Sequence, residues 1–389
     1  MQLVFFLGLI LLAGLAVEKL IAYLKLPAVT GYLLIGILLG PSLLNILSTT
    51  TVTAMAPINT IALGLIAFLI GGELSLPQLK RCGQSAVWIT IFQALGAFLF
   101  VTLTLHLLIK VSFPLALLFG AVSCATAPAA VMMVLREYKA KGPLTDNLLT
   151  VVALDDALCL LLYALAVAAA KVMVGESSGL RALMLKPLGE LGVSVLLGVL
   201  AAVILLFVIR WLRENEERLL AILGTIFFLA GGADFLHLSP LLACMVMGWA
   251  AVNLAPGESR RIFTMIKSLD TPIYVIFFVA AGATLHFQEL TKVGLIGIVY
   301  IITRVAGKII GAGLGAKIGR ASRVVQKYLG LGLIPQAGVA IGLTLLIQND
   351  FPVFAEVITP VVLASVVVYE ITGPFFVKMA VTKAGEEGK

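Results

Sequence analysis

Apolar runs of about 20 residues follow one another along almost the whole chain, separated by short polar or charged connections. A helix of this length can cross a hydrocarbon core about 30 Å thick. The pattern predicts an all-α polytopic membrane protein with thirteen membrane-spanning helices. The predicted spans are 2–22, 27–46, 57–72, 84–109, 114–135, 148–170, 187–209, 219–236, 239–253, 272–285, 293–316, 327–348 and 352–377.

The composition supports this prediction. Of the 389 residues, 61% are hydrophobic and 12% are charged, whereas about a quarter of the residues in soluble domains are charged. The first apolar run has no basic flank and is longer than the apolar region of a signal peptide, so we interpret it as a span. The four cysteines show no metal-ligand spacing. We expect neither a disulfide framework nor a cofactor.

The basic residues are sorted between the two ends of the predicted spans. The odd-numbered connections and the C-terminal tail hold 20 Lys and Arg residues, and the even-numbered connections hold five. Because cytoplasmic loops are enriched in Lys and Arg, the odd side is predicted to be cytoplasmic. The N-terminus is then outside and the C-terminus inside. The net charge of +7 reflects this sorting, and we do not expect nucleic-acid binding.

Two adjacent aspartates, Asp155 and Asp156, lie within the span 148–170. A charged side chain at the centre of a bilayer costs about 2.5–3.5 kcal/mol on insertion scales, so such residues usually belong to an ion or proton path. Consecutive helical residues point about 100° apart. The two carboxylates are therefore expected to face different surroundings and to have different roles.

Two basic residues, Arg304 and Lys308, lie in the middle of the span 293–316. Their i,i+4 spacing places them on one helix face. Both need negative partners, and the nearest carboxylates within the membrane are the two aspartates. We expect the two spans to pack together, with Lys308 and Arg304 as ion-pair partners. For Arg304, a helix-end carbonyl, Glu356 or Glu370 are alternative partners.

Helix breakers interrupt two of the spans. Proline removes a backbone donor and clashes with the preceding turn, so each span is expected to consist of two half-helices. The first break lies within 114–135 and the second within 327–348. The residues assigned to the breaks are Ala125, Thr126, Ala127 and Pro128 in the first and Pro335, Gln336 and Gly338 in the second.

The broken spans are seven spans apart, so a repeat that relates them is inverted. Paired discontinuous helices in inverted repeats indicate a transport site near the membrane midplane. The chain is predicted to be a single membrane transporter domain, residues 1–389. Five-helix repeats are predicted at 27–175 and 239–380, joined by linker helices at 187–236.

In this order the motifs resemble the monovalent cation/proton antiporter superfamily, in particular its bacterial two-aspartate branch. They are Ala153-Leu-Asp-Asp-Ala157, Thr126-Ala-Pro128, the segment GGELSLPQL at 71–79, FFVAAGATL at 277–285 and Arg304-x-x-Gly-Lys308. The resemblance implies crossed discontinuous helices and a core that moves across a scaffold. It also implies a homodimer among the lipids of a bacterial or archaeal plasma (inner) membrane.

The resemblance further implies that Asp156 carries the ion and the proton, while Asp155 pairs with Lys308. Na⁺ suits carboxylate and carbonyl oxygens, so Asp156 and Asp155 are the candidate metal site, with Thr126 as a candidate further ligand. If both Asp156 and the Asp155–Lys308 pair release a proton when Na⁺ binds, two protons exchange for one Na⁺. The predicted function is electrogenic sodium (lithium)/proton antiport.

Three other functions are alternatives to sodium/proton antiport. A K⁺/H⁺ antiporter of the same family is an alternative, because selectivity depends on cavity geometry. A sodium-coupled organic anion symporter of bile-acid type shares the crossed-helix architecture but does not need an aspartate doublet facing a lysine. An intramembrane aspartyl protease needs aspartates on different helices. No motif of a soluble hydrolase or nucleotide-binding loop is present, so no enzyme activity is expected.

Overall fold

The structure is a computed structural model, described here for residues 2–24, 26–174, 180–236, 238–267, 269–284 and 294–388. All regular structure within these ranges is helical. The helices are α1 (Gln2–Tyr23), α2 (Ala28–Leu39), α3 (Thr49–Ala54), α4 (Ala56–Glu73), α5 (Leu76–Leu107), α6 (Phe113–Ser123), α7 (Pro128–Glu137), α8 (Pro143–Met173), α9 (Leu180–Ile209), α10 (Asn215–Phe235), α11 (Pro240–Leu254), α12 (Pro256–Lys267), α13 (Asp270–Thr284), α14 (Gly294–Ile318), α15 (Arg323–Gly332), α16 (Gly338–Asp350) and α17 (Pro352–Ala384).

Each of the thirteen predicted spans coincides with one helix or with a pair of half-helices. Nine segments of the described chain are long and apolar enough to cross a membrane, counting α6 and α7 together as one. Helices α2, α13 and α16 are apolar but shorter. The protein is thus an all-α, multi-pass membrane protein, and the count of thirteen spans stays a prediction.

Two short helices were not predicted. Helix α3 has six residues and is capped by the preceding Ser48, whose hydroxyl accepts a hydrogen bond from the amide of Thr51. Helix α12 follows α11 after a bend of 119° and carries charged residues on an amphipathic sequence. Both escaped prediction because neither contains an apolar run of membrane-spanning length.

The two predicted helix breaks are present. Helix α6 ends at Ser123 and α7 begins at Pro128, whereas α15 ends at Gly332 and α16 begins at Gly338. A backbone hydrogen bond joins the breaks, because the amide of Ala127 donates to the carbonyl of Pro335 over 3.0 Å. The breaks therefore meet, as expected for crossed discontinuous helices.

The chain divides into two compact units. Helices α4, α11 and α13 and most of α2 belong to the first unit, whereas α5 after its first turns, the two broken pairs, α8, α14 and α17 belong to the second. Each predicted repeat thus gives its first two elements to one unit and its last three to the other. The units comprise residues 1–23, 31–81 and 188–284, and residues 24–30, 82–187 and 285–389.

The first unit contains a close contact between α4 and α11. Gly71 lies against the carbonyl of Met245, and Gly248 lies against the carbonyl of Phe68. Neither position has room for a Cβ atom, so the two helix backbones touch. This contact joins a helix of the first predicted repeat, α4, to a helix of the second, α11.

The second unit contains a similar contact between α5 and α14. A Cβ atom on Gly307 would lie 2.5 Å from the carbonyl oxygen of Gly96, and one on Gly315 would lie 2.5 Å from that of Trp88. Small residues allow helices to approach this closely. The approach brings Lys308, next to Gly307, against the face of α5 that carries Gln93.

The C-terminal segment after α17 folds back onto the start of α8. Helix α17 ends at Ala384 and is followed by Gly385, whose φ of 70° is in the left-handed region that glycine favours. The buried carboxylate of Glu386 then accepts hydrogen bonds from the amides of Leu144 (2.7 Å) and Thr145 (2.8 Å). The free amides at the N-terminus of α8 are thereby satisfied by a residue about 240 positions away.

Candidate ion-binding site

Helix α8 buries both aspartates. Asp155 has 0% and Asp156 has 4% of its surface exposed. They lie between apolar residues near the middle of the helix, where no cap or turn is available to solvate them. Their surroundings differ, as the 100° rotation between neighbouring helical residues predicts.

Asp155 is surrounded by donors. The amide nitrogen of Gln93 donates to its Oδ1 atom, and the hydroxyl of Thr126 donates to Oδ2. The Nζ atom of Lys308 lies 3.4 Å from Oδ2. Both carboxylate oxygens are therefore bonded, and the charge of Asp155 is compensated by a buried ammonium group.

Lys308 is held by more than its ion pair. Its Nζ atom donates to the side-chain oxygen of Gln93 (2.7 Å), the carbonyl of Cys124 (2.5 Å) and the hydroxyl of Thr126 (2.6 Å). These three contacts are shorter than the 3.4 Å to Asp155. The side chains of the aspartate helix and the lysine helix thus meet, but the two helices do not pack directly against each other as predicted, because the first break lies between them.

Asp156 contrasts with its neighbour. Neither of its carboxylate oxygens has a hydrogen-bond partner in the described part of the chain. Thr126, a candidate ligand for an ion at Asp156, instead bridges Asp155 and Lys308. The structure therefore contains one saturated and one unpartnered carboxylate on the same turn of α8.

Arg304 does not form the expected ion pair with any described residue. Its guanidinium donates to the carbonyls of Ser123 (3.0 Å), Ala125 (2.7 Å) and Ile334 (2.8 Å), and it lies 4.4 Å from the ring centroid of Tyr369. Carbonyls at helix C-terminal ends carry partial negative charge, and the planar guanidinium can bond several at once. Of the alternative partners predicted for Arg304, the structure shows the helix-end carbonyls.

The remaining break residues also bond across the crossing. Gln336 donates to the carbonyl of Val122 (2.9 Å) and to the hydroxyl of Tyr300 (3.3 Å), while Pro335 accepts from Ala127. Gly338 begins α16, and Pro128 begins α7. Several backbone carbonyls freed at the two breaks are thus bonded within the protein, which is the way such groups are satisfied at membrane depth.

Gln93 was not predicted as a site residue. It is fully buried and, like Thr126, bonds both Asp155 and Lys308. A signal was available, because Gln93 lies within the apolar span 84–109. Polar side chains at such depth usually face the interior of a helix bundle.

A sequence model described as the sodium/hydrogen exchanger, transmembrane family matches residues 7–383. The chain belongs to this family. Its members are transporters that exchange Na⁺ and H⁺ without a cofactor, and not enzymes. The match gives direct support to an exchanger and none to the alternative of a sodium-coupled symporter.

Curated relatives match at low identity over much of the chain. The Na⁺/H⁺ antiporter NhaS4 of Synechocystis is 26% identical, and the match covers 96% of each chain. The iron transporter MagA of Paramagnetospirillum magneticum is 25% identical over 73% of this chain. That match spans 64% of the length of MagA.

The fold agrees with a solved structure. The sodium proton antiporter MjNhaP1 from Methanocaldococcus jannaschii has a TM-score of 0.71 and 21% identity, covering 99% of this chain and 96% of that chain. At this identity the likeness establishes the fold alone. The antiporter fold expected from the motifs is confirmed.

Proposed function

We propose that the protein exchanges cytoplasmic Na⁺ or Li⁺ for external H⁺ by alternating access, with the cation and the proton competing for Asp156. The observation that supports this proposal is the unpartnered, buried carboxylate of Asp156. A bare carboxylate without hydrogen bonds is strongly disfavoured away from water. Asp156 is therefore stable when it holds either a proton or a cation.

Competition follows from the chemistry of one carboxylate. Carboxylate and carbonyl oxygens suit hard cations, and the same oxygens are the ones that a proton occupies. A cation at Asp156 requires the proton to leave, and a proton displaces the cation. One group thus couples the two movements without any direct contact between the transported ions.

Asp155 and Lys308 give the proposed cycle its charge balance. When this pair and Asp156 each release a proton on Na⁺ loading, two protons move against one Na⁺, and one net charge crosses the membrane per cycle. The 3.4 Å contact between the buried charges supports the pair as the second protonation site. We further propose that the chain forms a homodimer with an external N-terminus and a cytoplasmic C-terminus.

The decisive experiment measures sodium-driven proton movement in proteoliposomes, with and without a clamped membrane potential. Wild type is expected to show exchange that depends on voltage, and Asp156→Asn is expected to lose it. Asp234→Asn is the matched control, because Asp234 is exposed near the end of α10. Exchange that persists in Asp156→Asn would refute Asp156 as the carrier.

The charge balance is tested with Asp155→Asn/Lys308→Gln. This variant removes both charges of the pair and is expected to retain voltage-insensitive exchange of one proton for one Na⁺. Voltage-dependent exchange in the double variant would contradict the two-proton mechanism. Replacing Na⁺ with K⁺ in the same assay distinguishes the two cation specificities.

A further inference from the structure

A second buried carboxylate lies outside the aspartate site. Glu370, in the middle of α17, has 2% of its surface exposed, and neither of its carboxylate oxygens has a hydrogen-bond partner among the described residues. Within the same part of the chain, Asp156 is the one other carboxylate with both oxygens buried and unpartnered. Glu370 is thus in the chemical situation of the proposed ion carrier, on a different helix.

The neighbouring helices supply no counter-charge to Glu370 within the described residues. Arg304, for which the sequence analysis gave Glu370 as an alternative partner, instead bonds three carbonyls and lies on the ring of Tyr369. The titratable side chains on the helices packed against α17 are Arg136 and Glu137 of α7, Asp146, Asp155, Asp156, Cys159, Tyr163 and Lys171 of α8, Tyr300, Arg304, Lys308 and Lys317 of α14, Arg323, Lys327 and Tyr328 of α15 and Asp350 of α16.

The backbone carbonyl of Glu370 lacks its usual helical hydrogen-bond donor. Pro374 stands four residues later inside the helix and has no N–H to donate to the carbonyl of Glu370. A carboxylate can only accept hydrogen bonds, whereas a protonated carboxyl also carries an O–H donor. The freed carbonyl and the lack of any described donor to the side chain therefore both favour the protonated form of Glu370.

Glu370 also lies between a contact with α14, whose Arg304 bonds the broken-helix crossing, and a contact with the crossing itself. One residue earlier, the hydroxyl of Tyr369 donates to the carbonyl of Ile301 (3.0 Å), and its ring faces Arg304. One turn later, a Cβ atom on Gly373 would lie 2.9 Å from Pro335 in the second break. A movement of the crossing changes the surroundings of Glu370.

We propose that Glu370 is a further proton-binding site, besides Asp156 and the Asp155–Lys308 pair, which holds a proton in this conformation and releases it during the transport cycle. The proposal rests on the exchange function proposed above. On release, the carboxyl O–H bond breaks and the proton passes to water that reaches Glu370 in the other conformation, leaving a carboxylate. Rebinding of a proton from the same water restores the neutral, buried side chain, so Glu370 adds no proton to the two exchanged per Na⁺.

Infrared spectroscopy tests the bound proton directly. Protonated carboxyl groups have a C=O stretching band that carboxylates and amides lack. At neutral pH, Glu370→Gln is expected to lose intensity in this band relative to wild type, while Glu356→Gln is expected to keep it. An unchanged band in Glu370→Gln would show an ionised Glu370 and overturn the proposal.

Glu356→Gln is a closely matched control. Glu356 lies on α17 with a proline four residues later, Pro360, but it is exposed. The two variants therefore make the same chemical change on one helix, each four residues before a proline, and differ in burial. Thermal unfolding of both variants checks that the fold is retained.

Release during the cycle is tested by the pH profile of exchange. Glutamine mimics the protonated carboxyl but cannot lose the proton. Glu370→Gln is expected to change the pH profile of exchange, while Na⁺ binding at Asp156 and the ratio of two protons per Na⁺ persist. A pH profile equal to that of wild type would reduce Glu370 to a neutral packing residue.

These measurements separate this proposal from the exchange function. The carboxyl band of Glu370 is read without transport, and Asp156→Asn is expected to retain it. If Asp156→Asn still exchanges Na⁺, the proposed carrier fails whatever the band shows. If Glu370→Gln leaves the band unchanged, Glu370 fails as a proton site while the role of Asp156 stands.

Discussion

The ammonium group of Lys308 lies 3.4 Å from the carboxylate of Asp155, and both side chains are fully buried. The hydroxyl of Thr126 bonds each of them, and Gln93 does the same from α5. The pair is thus part of a closed network of four side chains. Asp156, the next residue in the chain, remains outside this network.

Removal of one member of the pair is expected to be more damaging than removal of both charges. Lys308→Gln leaves the charge of Asp155 buried without its cation, which costs about 3–5 kcal/mol of unfolding free energy. Asp155→Asn/Lys308→Gln is expected to recover most of this loss, because no uncompensated charge remains. Thermal unfolding of the single and double variants in detergent measures the difference. Losses that simply add would show that the two charges do not interact.

Arg304→Lys is expected to destabilise the crossing of the broken helices. A lysine ammonium cannot span the three carbonyls that the guanidinium bonds, and each buried carbonyl left without a donor costs about 1–3 kcal/mol. The check is thermal unfolding compared with that of Arg323→Lys, an exposed arginine at the start of α15. Equal stability of the two variants would mean that the carbonyl contacts of Arg304 contribute nothing.

Gly307→Ala is expected to separate α5 from α14. The added methyl group would lie 2.5 Å from the carbonyl oxygen of Gly96, and overpacking of this kind costs about 1–3 kcal/mol. Gly224→Ala on α10 meets no atom within 4 Å and is expected to be neutral or stabilising, since alanine is the better helix former. Unfolding temperatures of the two variants should therefore move in different directions from wild type, or only that of Gly307→Ala should fall.

Glu386→Ala is expected to loosen the start of α8. The substitution removes the acceptor of the Leu144 and Thr145 amides, and loss of a helix cap costs about 0.5–2 kcal/mol. Hydrogen exchange at these two amides is expected to become faster. Glu387→Ala serves as the control, because Glu387 is exposed and bonds Thr382 within the same segment. Unchanged exchange in Glu386→Ala would exclude a capping role.

Much of the fold can be predicted from the sequence because each membrane helix is indicated by its own run of residues. Apolar length marks each span, and proline marked both breaks. Helices α3 and α12 lack that length and were not predicted. The repeats at 27–175 and 239–380 and the linker at 187–236 remain predictions, although the two units divide both repeats in the same way. The FFVAAGATL motif reaches residue 285, which lies outside the described residues.

The site was predictable only in part. Charges within apolar spans are rare enough to identify Asp155, Asp156, Lys308 and Arg304 from sequence. Their partners depend on side-chain geometry across distant helices, which spacing does not encode. Gln93 bonds residues 62 and 215 positions away, and Arg304 bonds carbonyls that exist as free acceptors only because two helices end there.

The bond between the amide of Ala127 and the carbonyl of Pro335 uses backbone atoms alone. Every amino acid except proline supplies such an amide, and every amino acid supplies such a carbonyl. The link between the two breaks is therefore tolerant of substitution at both positions, apart from proline at 127. Around Lys308, by contrast, three of the four contacts are to side chains. Substitutions should accordingly be most damaging in the charged network around Lys308. Substitutions at residues 127 and 335 should leave the backbone bond between the two breaks intact.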